Sequence, residues 1–284
     1  MYVWIPGWGF SPAIWSEVRS ALGDPPSTVI DLEGLQVLSA IPQAPTNPQT
    51  LREWSPATVA TALARQLPRE LEHPVWVGWS LGGLLALALA HHWTGPQRLV
   101  LVASSPCCRV QEGWPYGLRP QDLQDFRLEL QRDPAAVTRR FATLCARGNT
   151  KPQSLRQRLL KQQTEQPLSL TALQVGLDLL ETWDLRALWT DLDAPVAVWW
   201  ANQDEVLGTH AHRSGPEPGA GAGAGAGAGS GSGSGSGSGL MEALQILRPD
   251  MQHCCVPGAH AGWWEVPERL AAFLRETSDR PWSR

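Results

Sequence analysis

The chain has no apolar run of membrane-spanning length, and its amino terminus enters a strand-like segment at once, without the layout of a secretory leader. Its five cysteines include two adjacent pairs, Cys107-Cys108 and Cys254-Cys255, which supply neither a disulfide framework nor zinc-ligand spacing. Reduced thiols in a cytoplasmic protein are the expectation. A basic excess is also missing: 23 Lys and Arg stand against 27 Asp and Glu, a net charge of −4. That argues against a protein built mainly to bind nucleic acid. Tryptophan, by contrast, is plentiful at fifteen residues, most of them expected in the core or at its rim. The 284 residues suit one domain with an insertion and a large core.

The stretch with the most to say is Val75-Trp76-Val77-Gly78-Trp79-Ser80-Leu81-Gly82-Gly83-Leu84. A β-favouring apolar run meets a serine between glycines, and a helical apolar run follows from Leu84 to Ala90. Strand, sharp turn and helix in that order fit a nucleophile elbow, Gly78-x-Ser80-x-Gly82, with Ser80 exposed at the carboxyl edge of a sheet. Glycine and serine in a surface turn can mimic the bare pattern; the flanking strand and helix favour the elbow. A serine hydroxyl is a weak nucleophile alone and needs a base oriented by a third group. Asp204, at the exit of the buried-strand run Pro195 to Gln203, is the candidate acid. His260, in the small-residue loop Pro257-Gly258-Ala259-His260-Ala261-Gly262, is the candidate base. Singly they read as a turn cap and a surface histidine; together they follow Ser80 in the chain order that an elbow requires. His73, His91, His92, His210, His212 and His253 lack such a setting. The oxyanion donors are expected at the backbone N–H of Leu81 and of Trp8, the latter in the loop Pro6-Gly7-Trp8-Gly9 after the first strand.

Along the chain, Tyr2 to Pro6 reads as a strand, Phe10 to Leu22 as a helix and Ser27 to Leu32 as a second strand. Glu33 to Thr50 reads as a Pro/Gln-rich loop. Ser55-Pro56 then supplies an N-cap and first-turn proline for a helix to Leu67. Val75 to Gly78 and Arg98 to Ser104 are buried strands, so strands alternate with helices and predict a mostly parallel sheet covered on both faces. From about 108 to 188 only helical patterns remain: Pro120 to Gln131, Pro134 to Ala146, Ser154 to Thr164 and Leu168 to Trp183. This predicts an all-helical cap, 108–188, between two parts of a core, 1–107 and 189–284. Between Arg119 and Lys161 there are ten Lys or Arg and four Asp or Glu, leaving this piece +6 and the remainder −10. An anionic partner docking at the cap and an ordinary solvated surface both fit that excess. Residues 215–239 form a Gly-Ala then Gly-Ser tract that buries almost nothing, expected as a flexible insertion in a loop. Leu240 to Leu247 then reads as a helix, Met251 to Val256 as the last strand and Pro267 to Glu276 as a terminal helix.

With these motifs placed, the chain resembles the α/β-hydrolase superfamily and, within it, is similar to the pimeloyl-acyl-carrier-protein methyl ester esterases of biotin synthesis. The resemblance rests on Gly7-Trp8-Gly9, Gly78-Trp79-Ser80-Leu81-Gly82-Gly83 and Val102-Ala103-Ser104-Ser105-Pro106-Cys107. Further matches are Trp114-Pro115, Arg140-Phe141, Gly176-Leu177, Asp184-Leu185-Arg186 and Ala259-His260-Ala261. It implies an α/β-hydrolase fold with a helical cap, a Ser80–His260–Asp204 acyl-enzyme mechanism and no metal or organic cofactor. It further implies Trp8, Trp79 and Phe141 as substrate-binding residues, although simple core packing also fits Trp79 and Phe141. The implied partner is an acidic acyl carrier protein bearing a methyl-pimeloyl chain, with no nucleic acid or membrane involved and a monomer expected. Among the cap arginines, Arg140 falls on a carrier-contacting position; Arg147, Lys151, Arg156 and Arg158 lie nearby but out of register.

The sequence departs from that family in three places. The family's His-Gly-Trp-Gly is Pro6-Gly7-Trp8-Gly9 here; the strands that usually come first are missing; and Glu33-Gly34-Leu35 replaces a Gly-rich turn. A broader short-chain esterase, another capped α/β-hydrolase and a non-catalytic binding protein of the same fold are the alternative readings.

Overall fold

The computed structural model describes residues 1–39, 54–208 and 238–278. The apolar runs form strands β1 (Tyr2–Ile5), β2 (Ser27–Val29), β3 (Val75–Trp79), β4 (Arg98–Val102), β5 (Val196–Ala201) and β6 (Gln252–Val256). All neighbours pair in parallel, in the order β2-β1-β3-β4-β5-β6. Every residue of β3, β4 and β5 is buried, as a parallel sheet covered on both faces demands. In β5 the consecutive residues Trp199 and Trp200 point to opposite faces, and both are buried.

The helices are α1 (Ser16–Ala21), α2 (Gln36–Ser39), α3 (Pro56–Ala64), α4 (Leu81–His92), α5 (Pro120–Arg132), α6 (Pro134–Ala146), α7 (Pro152–Glu165), α8 (Leu170–Thr182), α9 (Arg186–Asp191), α10 (Ser238–Leu247) and α11 (Pro267–Ser278). Ser55 caps α3 by accepting from the Thr58 N–H at 3.1 Å. Helices α5 to α8 follow one another between β4 and β5. A first-turn proline opens α5, α6 and α7, which costs no intrahelical bond and ends the preceding segment sharply. Asp133 caps α6 and Ser169 caps α8. Beyond the Gly-Ala/Gly-Ser tract, the chain is tied back to the body by Arg248. Its guanidinium donates to the carbonyls of Trp189, Leu192 and Ala194, the first two at 2.9 and 2.8 Å.

Several expectations change. The helix expected over Phe10 to Leu22 splits into a 3-10 turn, Pro12–Trp15, capped by Ser11, followed by α1. The strand expected to Leu32 stops at Val29, because Asp31 accepts from the Glu33 N–H and starts a 3-10 turn over Leu32–Leu35. That turn and α2 occupy the start of the expected Glu33 to Thr50 loop and bury Leu35 and Leu38; residues 40–50 lie outside the described residues. So does the tract 215–239, except that Ser238 and Gly239 open α10. Helix α9 has no counterpart in the sequence reading.

The chain moves from β1 outward to β2, then crosses back to pair β3 on the other side of β1. Ligands of open α/β sheets bind in the crevice at such a reversal, at the carboxyl ends of the strands. Here those ends carry Trp8 after β1 and Ser80 after β3.

Candidate active site

Ser80 sits between β3 and α4 with φ 54° and ψ −121°, a backbone region that costs a non-glycine residue about 1–3 kcal/mol. The elbow fits because the two flanking positions, Gly78 and Gly82, carry no side chain. A Cβ on Gly78 would run into the Gly82 carbonyl, and a Cβ on Gly82 into the carbonyls of Ile5 and Pro6. The Ser80 N–H donates to the Val102 carbonyl at 3.1 Å, and the Ser104 hydroxyl donates to the Ser80 carbonyl at 2.7 Å.

His260 and Asp204 are both 0% exposed, with Nδ1 of the ring 2.7 Å from Oδ2 of the carboxylate. The other oxygen, Oδ1, accepts from the Val206 and Leu207 N–H groups at 2.9 and 3.0 Å. A carboxylate only accepts, so Nδ1 carries the proton and Nε2 presents its lone pair. Nε2 is buried and makes no hydrogen bond, so its bond to Ser80 Oγ is not formed here; such contacts commonly tighten only with substrate in place. The histidine loop is held from two sides. The Ala261 N–H donates to the Cys145 carbonyl of α6 at 3.0 Å, and the Trp79 indole donates to the His260 carbonyl at 3.0 Å.

Trp8 is buried, with its indole N–H donating to the Leu173 carbonyl at 2.8 Å. Leu81 opens α4, so its N–H has no intrahelical partner. Phe141 stands edge-on to Trp8 at 5.2 Å and to His260 at 6.3 Å. Trp79 lies 5.7 Å from the His260 ring and contacts Phe10 and Trp263. Of the three expected substrate-binding residues, Trp79 and Phe141 pack on the His260 ring and Trp8 packs on Phe141, yet each is at most 2% exposed. Two cavities flank this cluster, one near Gly9 and one near Val206, and neither is lined by Ser80 or His260. Among the described residues no three His, Cys, Asp or Glu side chains converge as metal ligands would, and no helix is long and apolar enough to cross a membrane.

The family model described as "Alpha/beta hydrolase family" matches residues 2–273. The chain belongs to the alpha/beta hydrolase family. Among curated relatives, this hydrolase is 36% identical over 201 residues to a protein of Pectobacterium carotovorum subsp. carotovorum named "Pimeloyl-[acyl-carrier protein] methyl ester esterase", spanning 68% of this chain and 71% of that protein. It is 32% identical over 198 residues to a protein of the same name from Salmonella newport, with the same coverage. Of solved structures, an esterase from Exiguobacterium antarcticum superposes with a TM-score of 0.68 at 16% identity, covering 99% of this chain and 92% of that one. A bromoperoxidase from Bacillus anthracis gives 0.69 at 16% identity, covering 98% and 91%. At such identity the likeness is one of fold.

The arginines on α6 and α7, and Arg147 at the end of α6, separate into two groups in this hydrolase. Arg140 and Arg147 border a cavity of about 350 Å³ that also meets Glu205, the neighbour of Asp204. Arg140 pairs with Glu129 at 3.1 Å and lies over the Phe126 ring, and Arg147 pairs with Glu205 at 3.5 Å. Arg156 donates to Thr143 of α6 at 2.9 Å. Arg158 instead turns toward Glu17 of α1 and lies over the ring of Trp264. Two positioning groups had no sequence reading of their own, the Ser104 hydroxyl and the Cys145 carbonyl. Ser104 stood inside a family-like segment; Cys145 carried no signal, since a backbone carbonyl leaves none in sequence.

Proposed function

We propose that this chain is a serine carboxylesterase that hydrolyses the methyl ester of a pimeloyl chain carried on acyl carrier protein, in biotin synthesis. In this reading it works as a cytoplasmic monomer without metal or organic cofactor. The observation that carries the reading is the buried His260–Asp204 pair, which leaves Nε2 as an unpartnered acceptor behind a strained Ser80. The names of the curated relatives supply the ester.

Ser80 Oγ attacks the ester carbonyl carbon as His260 Nε2 takes its proton. The N–H groups of Trp8 and Leu81 hold the oxyanion; losing one such donor costs about 10²- to 10³-fold in rate. The bond to the methoxy oxygen breaks, and His260 returns the proton so that methanol leaves. Water then gives a proton to His260 and attacks the acyl-enzyme, releasing the free carboxylic acid and restoring Ser80. Asp204 keeps the imidazole oriented and stabilises it when charged.

Residues 108–188 act as the cap. Phe141 reaches from it toward His260, and Trp8 and Trp79 complete the walls along which the acyl chain lies. An acidic carrier docks on the side where Arg140 and Arg147 meet, with Arg156 adjacent; Arg158 stays committed to Glu17. The test is methanol release from methyl-pimeloyl carrier protein beside a free short-chain methyl ester, with the native chain and Ser80→Ala. Preference for the carrier-bound ester that is lost with Ser80 supports the reading. Cleavage of the free ester alone removes the carrier, and activity that persists in Ser80→Ala removes the mechanism.

A further inference from the structure

The turn between α6 and α7 touches both of the loops that carry the proposed acid and base. On the acid side, Gly148 has φ 90° and passes so close to Gln203 that a Cβ there would sit 2.4 Å from the Gln203 carbonyl oxygen. Gln203 precedes Asp204, and its N–H donates to the Gly258 carbonyl at 3.0 Å, which ties the acid loop to the base loop. On the base side, Asn149 lies against Gly258 and Gly262, the residues two before and two after His260. A Cβ on either would come within 3.4 and 3.3 Å of Asn149 Oδ1. The Asn149 amide Nδ2 donates to the Glu265 carboxylate, just beyond the same loop.

The base loop, Gly258-Ala259-His260-Ala261-Gly262, has little with which to hold itself. Two of its five residues are glycines, which lose the most conformational freedom on folding, and two are alanines, which offer little to pack. Yet His260 Nδ1 must meet Asp204 Oδ2 at 2.7 Å across 56 positions of sequence. A displacement of about 1 Å in such a constellation can cost about 10²-fold in rate. The restraint therefore has to come from outside the loop, and Asn149 is a half-buried side chain that reaches both of its glycines.

We infer that Asn149 is a positioning residue for the proposed base: anchored on Glu265, it holds the loop from Gly258 to Gly262 so that His260 Nδ1 stays on Asp204. The inference rests on the esterase reading above and gives the cap a part in setting the reacting groups.

Three variants test this with a free methyl ester as substrate, so that no carrier is involved. Asn149→Ala removes the tie. Asn149→Asp keeps the shape but sets one carboxylate against another. Asn149→Asp with Glu265→Gln again places a donor opposite an acceptor, with the bond reversed. In both single variants kcat should fall about tenfold, the scale of one hydrogen bond to a charged group, with KM little changed, and it should recover in the double variant. A second readout needs no turnover: the low-field proton NMR signal of His260 Nδ1–H in its hydrogen bond to Asp204. It should be sharp in the Ser80→Ala chain, broaden when Asn149→Ala is added and stay sharp with the double change. Circular dichroism verifies the folded fraction of each variant. If kcat and the signal survive Asn149→Ala, if only KM moves, or if a smaller folded fraction accounts for the loss while the signal stays sharp, the inference is overturned. Failure of the native chain to cleave any methyl ester would remove the esterase reading, while the NMR signal would still decide whether Asn149 sets the histidine.

Discussion

The Trp79 indole N–H donates to the His260 carbonyl at 3.0 Å, across 181 positions of sequence. The side chain next to the proposed nucleophile therefore fixes the backbone of the proposed base. Trp79→Phe keeps an aromatic ring in the core and removes this one tie. We expect kcat to fall about tenfold, with KM changed less, since one buried hydrogen bond is worth about 1 kcal/mol. Steady-state kinetics on a methyl ester, with circular dichroism to verify folding, reads the split; a change in KM alone would make Trp79 a substrate contact instead.

Asp204→Asn should be far more damaging. The Asn oxygen can still accept from the Val206 and Leu207 N–H groups, but its amide would then face His260 Nδ1 as a donor. That favours the tautomer with the proton on Nε2, which cannot take a proton from Ser80. A loss of about 10⁴-fold in kcat is expected, as for triads with the same change. The variant should fold, and single-turnover assays should show the loss in the chemical step.

Two buried tryptophans make a controlled comparison. The Trp76 indole donates to Gln97 Oε1 at 2.7 Å, whereas the Trp200 N–H has no partner. Each change to phenylalanine removes similar volume, but Trp76→Phe also strands a buried acceptor. Trp76→Phe should therefore cost about 1–3 kcal/mol more than Trp200→Phe, measured by urea unfolding. Equal costs would mean that Gln97 finds a new partner.

Asp184 gives a pH-dependent term. Burial works to raise its carboxyl, but hydrogen bonds and charge from Arg186, with Gln111 assisting, outweigh that and hold it below the usual carboxylate value. A carboxyl with a depressed folded-state pKa stabilises fully above its unfolded value of about 3.9. That contribution fades as pH falls through the lower folded value. Asp184→Asn should lower the melting temperature by a few degrees at most near neutrality, because the pair is partly exposed. The gap between variant and native chain should close as pH falls through that lowered folded-state value; a gap that persists in stronger acid would refute the ionic origin.

Much of the architecture was legible because its causes are local. A run such as Leu99-Val100-Leu101-Val102 has no polar face to present, so it can only be a buried strand. Gly78 and Gly82 mark the one place where backbone must pass backbone around Ser80. The helical patterns from Pro120 and Pro134 were legible where they occur, each opening on a first-turn proline, whereas α7 begins at Pro152, two residues before the expected Ser154. What stayed hidden depends on which distant segments meet. No pattern in sequence tells that Trp79 reaches the His260 carbonyl, or that Arg158 turns to Glu17 and Trp264 rather than outward. The short helix α2 was missed for a different reason: its turn starts from a single Asp31 cap beside a Pro/Gln-rich composition that reads as loop.

Helix α7 is fastened to the body by Arg158 on Glu17, by Gln162 on Ser11 and, just before it, by Asn149 on Glu265. Elsewhere in the same body Ser80 is 3% exposed and His260 not at all. A residue so covered meets reagents only when the chain around it opens, and we expect the seam of α7 fastenings to set how often it does. At saturating concentrations a small serine-directed reagent would then react at a rate independent of its dose, and that plateau would be the frequency at which the seam parts. Loosening Arg158 would raise the plateau while leaving the reacting groups untouched, separating the clock of this protein from its chemistry.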